Sequence, residues 1–305
     1  MIWNYSTVIP GEKMQIVSHA AKTQLYSPPN TLAGLQECVE KGLYYIEYDI
    51  SPLSYGDFLL FHNEKLDGTT NRTGPVFLLT RDDRQNLWYL NKEGNGKTRV
   101  AHLSQLIELL NDEILVRELQ LDLKTHISVP FTDEILKNLL RIIAPVKKRV
   151  RISSCADWAI RRLHELDREV KLGFDPQFFI DVGRSEANPY PPFKQNSFTY
   201  QDDHPIASYN WQSSYEYLAA RAASLWSQGQ GADVWYLRYE LLEKSAADGF
   251  NWIEFLHRRG TEVCAWTLNI TEKNNGKIFN PILKMQPDRI SSDTPDSWKS
   301  YLEAR

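Results

Sequence analysis

Tyr44-Tyr-Ile-Glu47-Tyr-Asp49-Ile-Ser51, running into Pro52 to Asp57 and then Phe58-Leu-Leu-Phe-His62, is the stretch on which the fold is read. A β-type run, a turn-rich connection and a second short β-type run spell a strand with a hairpin behind it. A helix signal precedes it. Asn30 or Thr31 suits the N-cap, Leu32, Leu35, Val39 and Leu43 step at three and four residues, and Gly42 marks the stop. Before that helix stand a first strand, Met14-Gln-Ile-Val-Ser-His19, and a loop with Pro28 and Pro29.

The same alternation continues on the other side. A polar loop (Leu66 to Gly74) and a charged stretch (Arg81 to Arg99) lead to a helix around Leu103 to Leu110. Then come Glu118-Leu-Gln-Leu-Asp122-Leu-Lys124, a helix from about Asp133 to Ile143, and the strand Arg149 to Ser154. A helix with Trp158, Leu163 and Leu166 follows, and then Val170-Lys-Leu-Gly-Phe174. Residues from about Pro176 to Asn210, with the loop Asn188-Pro-Tyr-Pro-Pro-Phe193, break the rhythm and read as an insertion. It resumes with an Ala-rich helix, Tyr215 to Trp226, strand Asp233 to Tyr239, a helix through Phe255, strand Thr261 to Asn269 and a short strand, Asp288 to Ser292. Without the hairpin strand and the insertion, eight βα-like units remain. Eight units predict an α/β fold of the TIM type, a closed (β/α)8 barrel with a hairpin after strand 2 and an insertion after strand 5, with an open doubly wound sheet as the alternative on pattern alone. Residues 1–305 are read as a single domain.

Composition agrees with a globular enzyme: 42% of the 305 residues are hydrophobic and 24% are charged. A formal charge of −4 without a basic run argues against nucleic acid as partner, because backbone phosphates demand a concentrated basic face. Nothing approaches the ~20 apolar residues of a spanning helix, and Met1 to Met14 lacks a leader pattern, so no stable membrane anchor is expected. Cys38, Cys155 and Cys264 are odd in number and far apart, which suits reduced thiols and a cytoplasmic location.

Reactive side chains gather at the C-terminal ends of the early strands, where barrels of this class build their sites. His19 ends the first strand and His62 the hairpin strand. Glu47 and Asp49, two apart on a strand, point to one face, and Asp122 and Lys124 repeat the spacing. Carboxylates inside a barrel are costly unless paired or bound to a metal. Three of them, without cysteine, suit a hard oxygen-seeking cation such as Mg²⁺ or Ca²⁺, which would neutralise a phosphoryl oxygen. Imidazoles, with an ordinary pKa of ~6.5, can give and take protons near neutrality. Together these groups form a phosphodiester-cleaving constellation; a two-metal site with the histidines as ligands is the competing reading.

The motifs resemble those of the glycerophosphodiester phosphodiesterase family. Ile16-Val-Ser-His19-Ala20 is similar to its His-Arg-Gly motif, and Pro28-Pro29-Asn30-Thr31 to Pro-Glu-Asn-Thr. Ile46-Glu47-Tyr48-Asp49 matches Ile-Glu-x-Asp; Phe61-His62-Asn63 and the loop Leu66 to Gly74 are similar to His-Asp and Leu-Asp-Arg-Thr-Thr-x-x-Thr-Gly. Leu121-Asp122-Leu123-Lys124 stands at Ile-Glu-Ile-Lys, Ala265-Trp266-Thr267-Leu268-Asn269 at Val-Trp-Thr-Val-Asn, and Ile290 to Asp296 at the closing Ile-x-Thr-Asp-x-Pro-Asp. The resemblance implies a divalent cation held by Glu47, Asp49 and Asp122, acid/base work by His19 and His62, and Lys124 and Trp266 lining the pocket, on phosphate and as an apolar wall. It implies a small glycerophosphodiester substrate, in which a neighbouring hydroxyl attacks phosphorus to give a cyclic intermediate.

Two departures stand out. Ala20 replaces an arginine, removing a planar bidentate phosphate contact, and Pro29 replaces a glutamate. Arg72 and Lys22 are the candidate substitutes for the lost cation. Asp122 is one methylene shorter than the family's glutamate, so the cation must sit closer to that strand. Two alternatives remain beside hydrolysis of glycerophosphodiesters: a lysophospholipase D or sphingomyelinase D-like activity, with Tyr190, Phe193, Phe198 and Tyr200 of the insertion covering an acyl or head group, and a barrel that binds a phosphodiester without turning it over. Head group, Mg²⁺ against Ca²⁺, the assignment of acid and base, and oligomeric state stay open.

Overall fold

The computed structural model describes residues 14–90, 98–183, 189–274 and 276–303. The polar N-terminus up to Lys13, the middle of the charged stretch (91–97) and Asn188 of the proline loop lie outside the described residues. Along the chain run β1 (Gln15–Ser18), α1 (Leu32–Glu40), β2 (Tyr45–Pro52), β3 (Phe58–Leu60), α2 (Leu103–Asp112) and β4 (Glu118–Leu123). They are followed by α3 (Asp133–Ile143), β5 (Val150–Ser154), α4 (Asp157–Leu166), β6 (Lys171–Phe174), α5 (Ser214–Gln228) and β7 (Val234–Arg238). The chain continues through α6 (Tyr239–Ala247), α7 (Trp252–His257), β8 (Glu262–Trp266), α8 (Asn280–Lys284), β9 (Arg289–Ser292) and α9 (Pro295–Glu303).

The parallel ladder runs β1-β9-β8-β7-β6-β5-β4-β2, and β1 pairs again with β2 through Val17↔Tyr45 and Ser18↔Ile46, closing the expected barrel. β3 lies outside the ring, antiparallel to β2, with Ile50↔Leu60 and Pro52↔Phe58 in register. Strand alternation sorts the side chains. Ile46, Tyr48 and Ile50 join Leu35, Cys38 and Leu106 in the core beneath the helices, while Glu47 and Asp49 take the opposite face and turn into the barrel. A second core under α5 to α9 gathers Phe174, Trp235, Trp252 and Trp298. Gly173 is required on the inner face: a Cβ there would stand 2.3 Å from Tyr236 Cε2.

At the N-terminal end of the barrel the buried charges are paired, as low dielectric demands. Glu118 accepts from Arg151 Nε at 3.1 Å and from Arg289, whose Nη2 also reaches Glu262 at 2.8 Å.

Local details refine the sequence reading. Of the two cap candidates it is Thr31 that caps α1, its Oγ1 accepting from Gly34 N–H at 3.0 Å. The helix through Phe255 is two helices, α6 and α7, parted at Gly249 with φ +87°. The insertion folds back on itself through an Asp181↔Gln201 bridge and is tied to α5 by Asp202, which accepts from Tyr217 Oη and Arg221 Nε, both at 2.7 Å. Among the described residues no helix is long and apolar enough to cross a membrane.

Candidate active site

A cavity of about 440 Å³ opens at the C-terminal end of the strands, as barrel architecture leads one to expect. His19, Glu47, His62, Asp122, Lys124 and Trp266 all line it; Asp49 is set beneath, 2% exposed. Asp49 and Asp122 are direct partners in the β2–β4 ladder, and ligand oxygens of Glu47, Asp49 and Asp122 lie within 4.8 Å of one another.

Each carboxylate is held from its own side. Glu47, 3% exposed, accepts the Ala20 N–H at 2.6 Å, an approach made by the left-handed turn at Ala20 (φ +50°). Asp49 is gripped by Asn30, which donates Nδ2 to Oδ2 at 2.8 Å and accepts the Asp49 N–H at 3.0 Å. Asp122 accepts from Ser153 Oγ at 3.2 Å. Lys124 Nζ pairs with Asp49 Oδ1 at 2.7 Å and Asp122 Oδ2 at 2.5 Å.

The charges respond accordingly. Burial, reinforced by Asp49, pushes the Glu47 carboxyl up to about 8. Burial opposes ionisation of Asp49 too, but Lys124 and then both histidines hold it well below the usual carboxylate range. One lysine therefore leaves the trio short of positive charge, and an all-oxygen donor set in that condition fits a hard divalent cation. His19 Nδ1 bonds Asp293 Oδ1 at 2.9 Å, which leaves Nε2 free of that bond and 4.0 Å from Glu47 Oε2. Burial alone would lower its pKa, but Asp293, Glu47 and Asp49 lift it to about 9. Asp293 in turn is drawn down to about 2 against its own burial by His19 and Lys22.

The two candidate substitutes for the lost cation lie in different places. Lys22 Nζ sits on Asp293 Oδ1 at 3.1 Å, beside His19, whereas Arg72 pairs with Asp83 at 3.2 Å on the surface. Of the insertion aromatics, Tyr190 reaches the cavity; Phe193 is 64% exposed, Phe198 stacks on Tyr217, and Tyr200 is buried with its hydroxyl on Asp248 at 2.7 Å.

Sequence reasoning gave no site role to five residues here. Asn30 was considered only as one of two cap candidates. Asp293 lies in a quoted motif, and its partnership with His19 spans the whole barrel. Asp175 and Phe178 sit at the start of the insertion, where no pattern applied. His126 also lines the cavity: Ser51 Oγ donates to Phe61 O at 2.7 Å, so it must accept from His126 Nε2–H at 2.8 Å, and burial lowers the His126 pKa to about 4.

Residues 21–297 match the model of the Glycerophosphoryl diester phosphodiesterase family. The chain belongs to this family. Glycerophosphodiester phosphodiesterase 1 of Rattus norvegicus is 22% identical over 273 residues, 87% of this chain and 75% of that protein. A Glycerophosphodiester phosphodiesterase of Caldanaerobacter subterraneus is 24% identical over 165 residues, 53% of this chain and 66% of that one. The fold is shared with an Oleispira antarctica phosphodiesterase solved in complex with the product sn-glycerol-3-phosphate (TM-score 0.63, 18% identity, 95% of this chain and 96% of that chain). It is shared as well with glycerophosphodiester phosphodiesterase of Thermotoga maritima (TM-score 0.60, 14% identity, 97% and 100%).

Proposed function

We propose that this member of the glycerophosphoryl diester phosphodiesterase family hydrolyses glycerophosphodiesters to an alcohol and glycerol phosphate, by histidine acid/base catalysis that depends on a divalent cation. The observation that carries the reading is the meeting of Glu47, Asp49 and Asp122 with two histidines in one cavity. The product named for the Oleispira barrel makes glycerol phosphate the expected leaving product here.

A phosphodiester would lie with its phosphate against Lys124 and Trp266 along one wall. The attacking oxygen, from water or from the neighbouring glycerol hydroxyl, bonds to phosphorus as its proton passes to one imidazole. The ester oxygen of the alcohol departs with a proton from the other; where the glycerol hydroxyl attacks, the cyclic phosphate so formed is then opened by water to glycerol phosphate. His19 is suited to hold a proton at Nε2, since Asp293 fixes the ring through Nδ1. Glu47, Asp49 and Asp122 would hold Mg²⁺ or Ca²⁺, which supplies positive charge for the phosphoryl oxygens. Lys22, paired with Asp293, offers a cation on the side from which Ala20 withdraws the family's arginine. The barrel and its 176–210 insertion are read as one catalytic unit, and with none of the three cysteines in a disulfide, the cytoplasm is its proposed setting.

Phosphorus NMR of a panel of glycerophosphodiesters and lysophospholipids, with Mg²⁺, with Ca²⁺ and with chelator, tests this. Cation-dependent glycerol phosphate is expected. Turnover of lysophospholipids alone, or turnover indifferent to chelator, would refute it.

A further inference from the structure

Asp175 is a cavity carboxylate that the catalytic scheme leaves unused. It follows β6 directly, two residues beyond Gly173, so strand alternation turns it inward as well. Its Oδ1 accepts the Gln177 N–H at 2.8 Å, and no Lys, Arg or His forms an ion pair with it among the described residues. Burial pushes its carboxyl up to about 8, as for an acid lacking a counter-charge. Phe178 and Tyr190 line the same cavity, stacked with centroids 5.5 Å apart and planes 12° from parallel.

A phosphodiester brings its own negative charge. Beside Lys124 and a divalent cation held by the carboxylate trio that charge would be answered, and a positive group on the alcohol would draw Asp175 into its ionised form as counter-charge. An aromatic face next to a carboxylate is the pairing that holds alkylated ammonium ions, which have few hydrogen bonds to offer and are attracted by ring quadrupoles. We propose that Asp175 and the Phe178–Tyr190 pair form a subsite for a quaternary ammonium head group, so that the chain selects cationic glycerophosphodiesters over neutral polyol ones. The inference rests on the reading of this cavity as a phosphodiester site.

The test compares kcat/KM for glycerophosphocholine and glycerophosphoinositol in the intact chain, in Asp175→Asn and in Phe178→Leu. Asparagine keeps the acceptor for Gln177 N–H, so the turn survives. A choline preference of roughly tenfold or more is expected, falling severalfold in each variant through the KM of the choline substrate. Tetramethylammonium should inhibit the intact chain competitively and the Asp175→Asn variant more weakly. A preference near one, or one unmoved in both variants, overturns the subsite while turnover of both diesters leaves the phosphodiesterase reading standing. If neither diester is hydrolysed, calorimetric binding of glycerophosphocholine that is lost in Asp175→Asn still supports the subsite, and no binding overturns it.

Discussion

Replacing Asn30 by alanine tests whether the carboxylate trio is held by the protein or by chance proximity. Asn30 is 1% exposed and stands at φ +57°, with its own N–H on Ala20 O at 2.7 Å. Alanine removes both side-chain bonds to Asp49, at ~1 kcal/mol each, and leaves the Asp49 N–H buried without an acceptor, at ~1 kcal/mol more. Alanine also takes the left-handed conformation less readily than asparagine, which adds up to ~1 kcal/mol. The expected loss is therefore about 3 to 4 kcal/mol, read by urea unfolding of the cation-free protein through tryptophan fluorescence. Asn30→Gly loses the same bonds but is free to adopt the positive φ, so it should be about 1 kcal/mol less damaging. An alanine variant within about 1 kcal/mol of the parent, or a glycine variant no better than alanine, would refute the clamp.

Other consequences follow from the same packing. Glu118→Gln leaves two buried guanidinium groups sharing less negative charge and should cost about 2 to 3 kcal/mol at pH 7, since each arginine retains another acceptor. Burial alone would raise the Glu118 pKa, but Arg151 and Arg289 hold it below 4.5 in the folded state. Its stabilisation is thus full above that value and lost as pH falls through the lowered one, so parent and variant should converge in acid denaturation. Mg²⁺ or Ca²⁺ at a hundred times its dissociation constant should stabilise the parent by ~2.7 kcal/mol in thermal melts, and Glu47→Gln should reduce the effect sharply. Tyr200→Phe, which removes the bond to Asp248, should cost about 1 kcal/mol and leave head-group preference as it was, since that ring is not at the cavity.

The barrel was legible because its strands and helices carry local signals: period, caps and turn residues over short windows. The hairpin was legible for the same reason, since Pro52 to Asp57 separate two β-type runs. Convergence of Glu47, Asp49 and Asp122 could be anticipated because two-residue spacing on a strand fixes a common face and neighbouring barrel strands share a mouth. Partnerships between distant segments were not legible. Asp293 meets His19 only because β9 closes against β1, and Asn30 turns to Asp49 only because the backbone goes left-handed there. The insertion resisted reading because its burial comes from irregular backbone, with Tyr200 and Asp202 buried through tertiary partners rather than periodicity.

The most direct measurement of the central claim is steady-state hydrolysis of glycerophosphocholine by the cation-loaded chain beside His19→Ala, with glycerol phosphate followed as product and folding of the variant verified by its melt. The account requires turnover in the parent that chelator abolishes and that falls at least a hundredfold in the variant, as removal of a general acid or base does (on the order of 10²–10⁴). A folded His19→Ala variant as active as the parent, or a parent whose turnover survives full chelation, would contradict it.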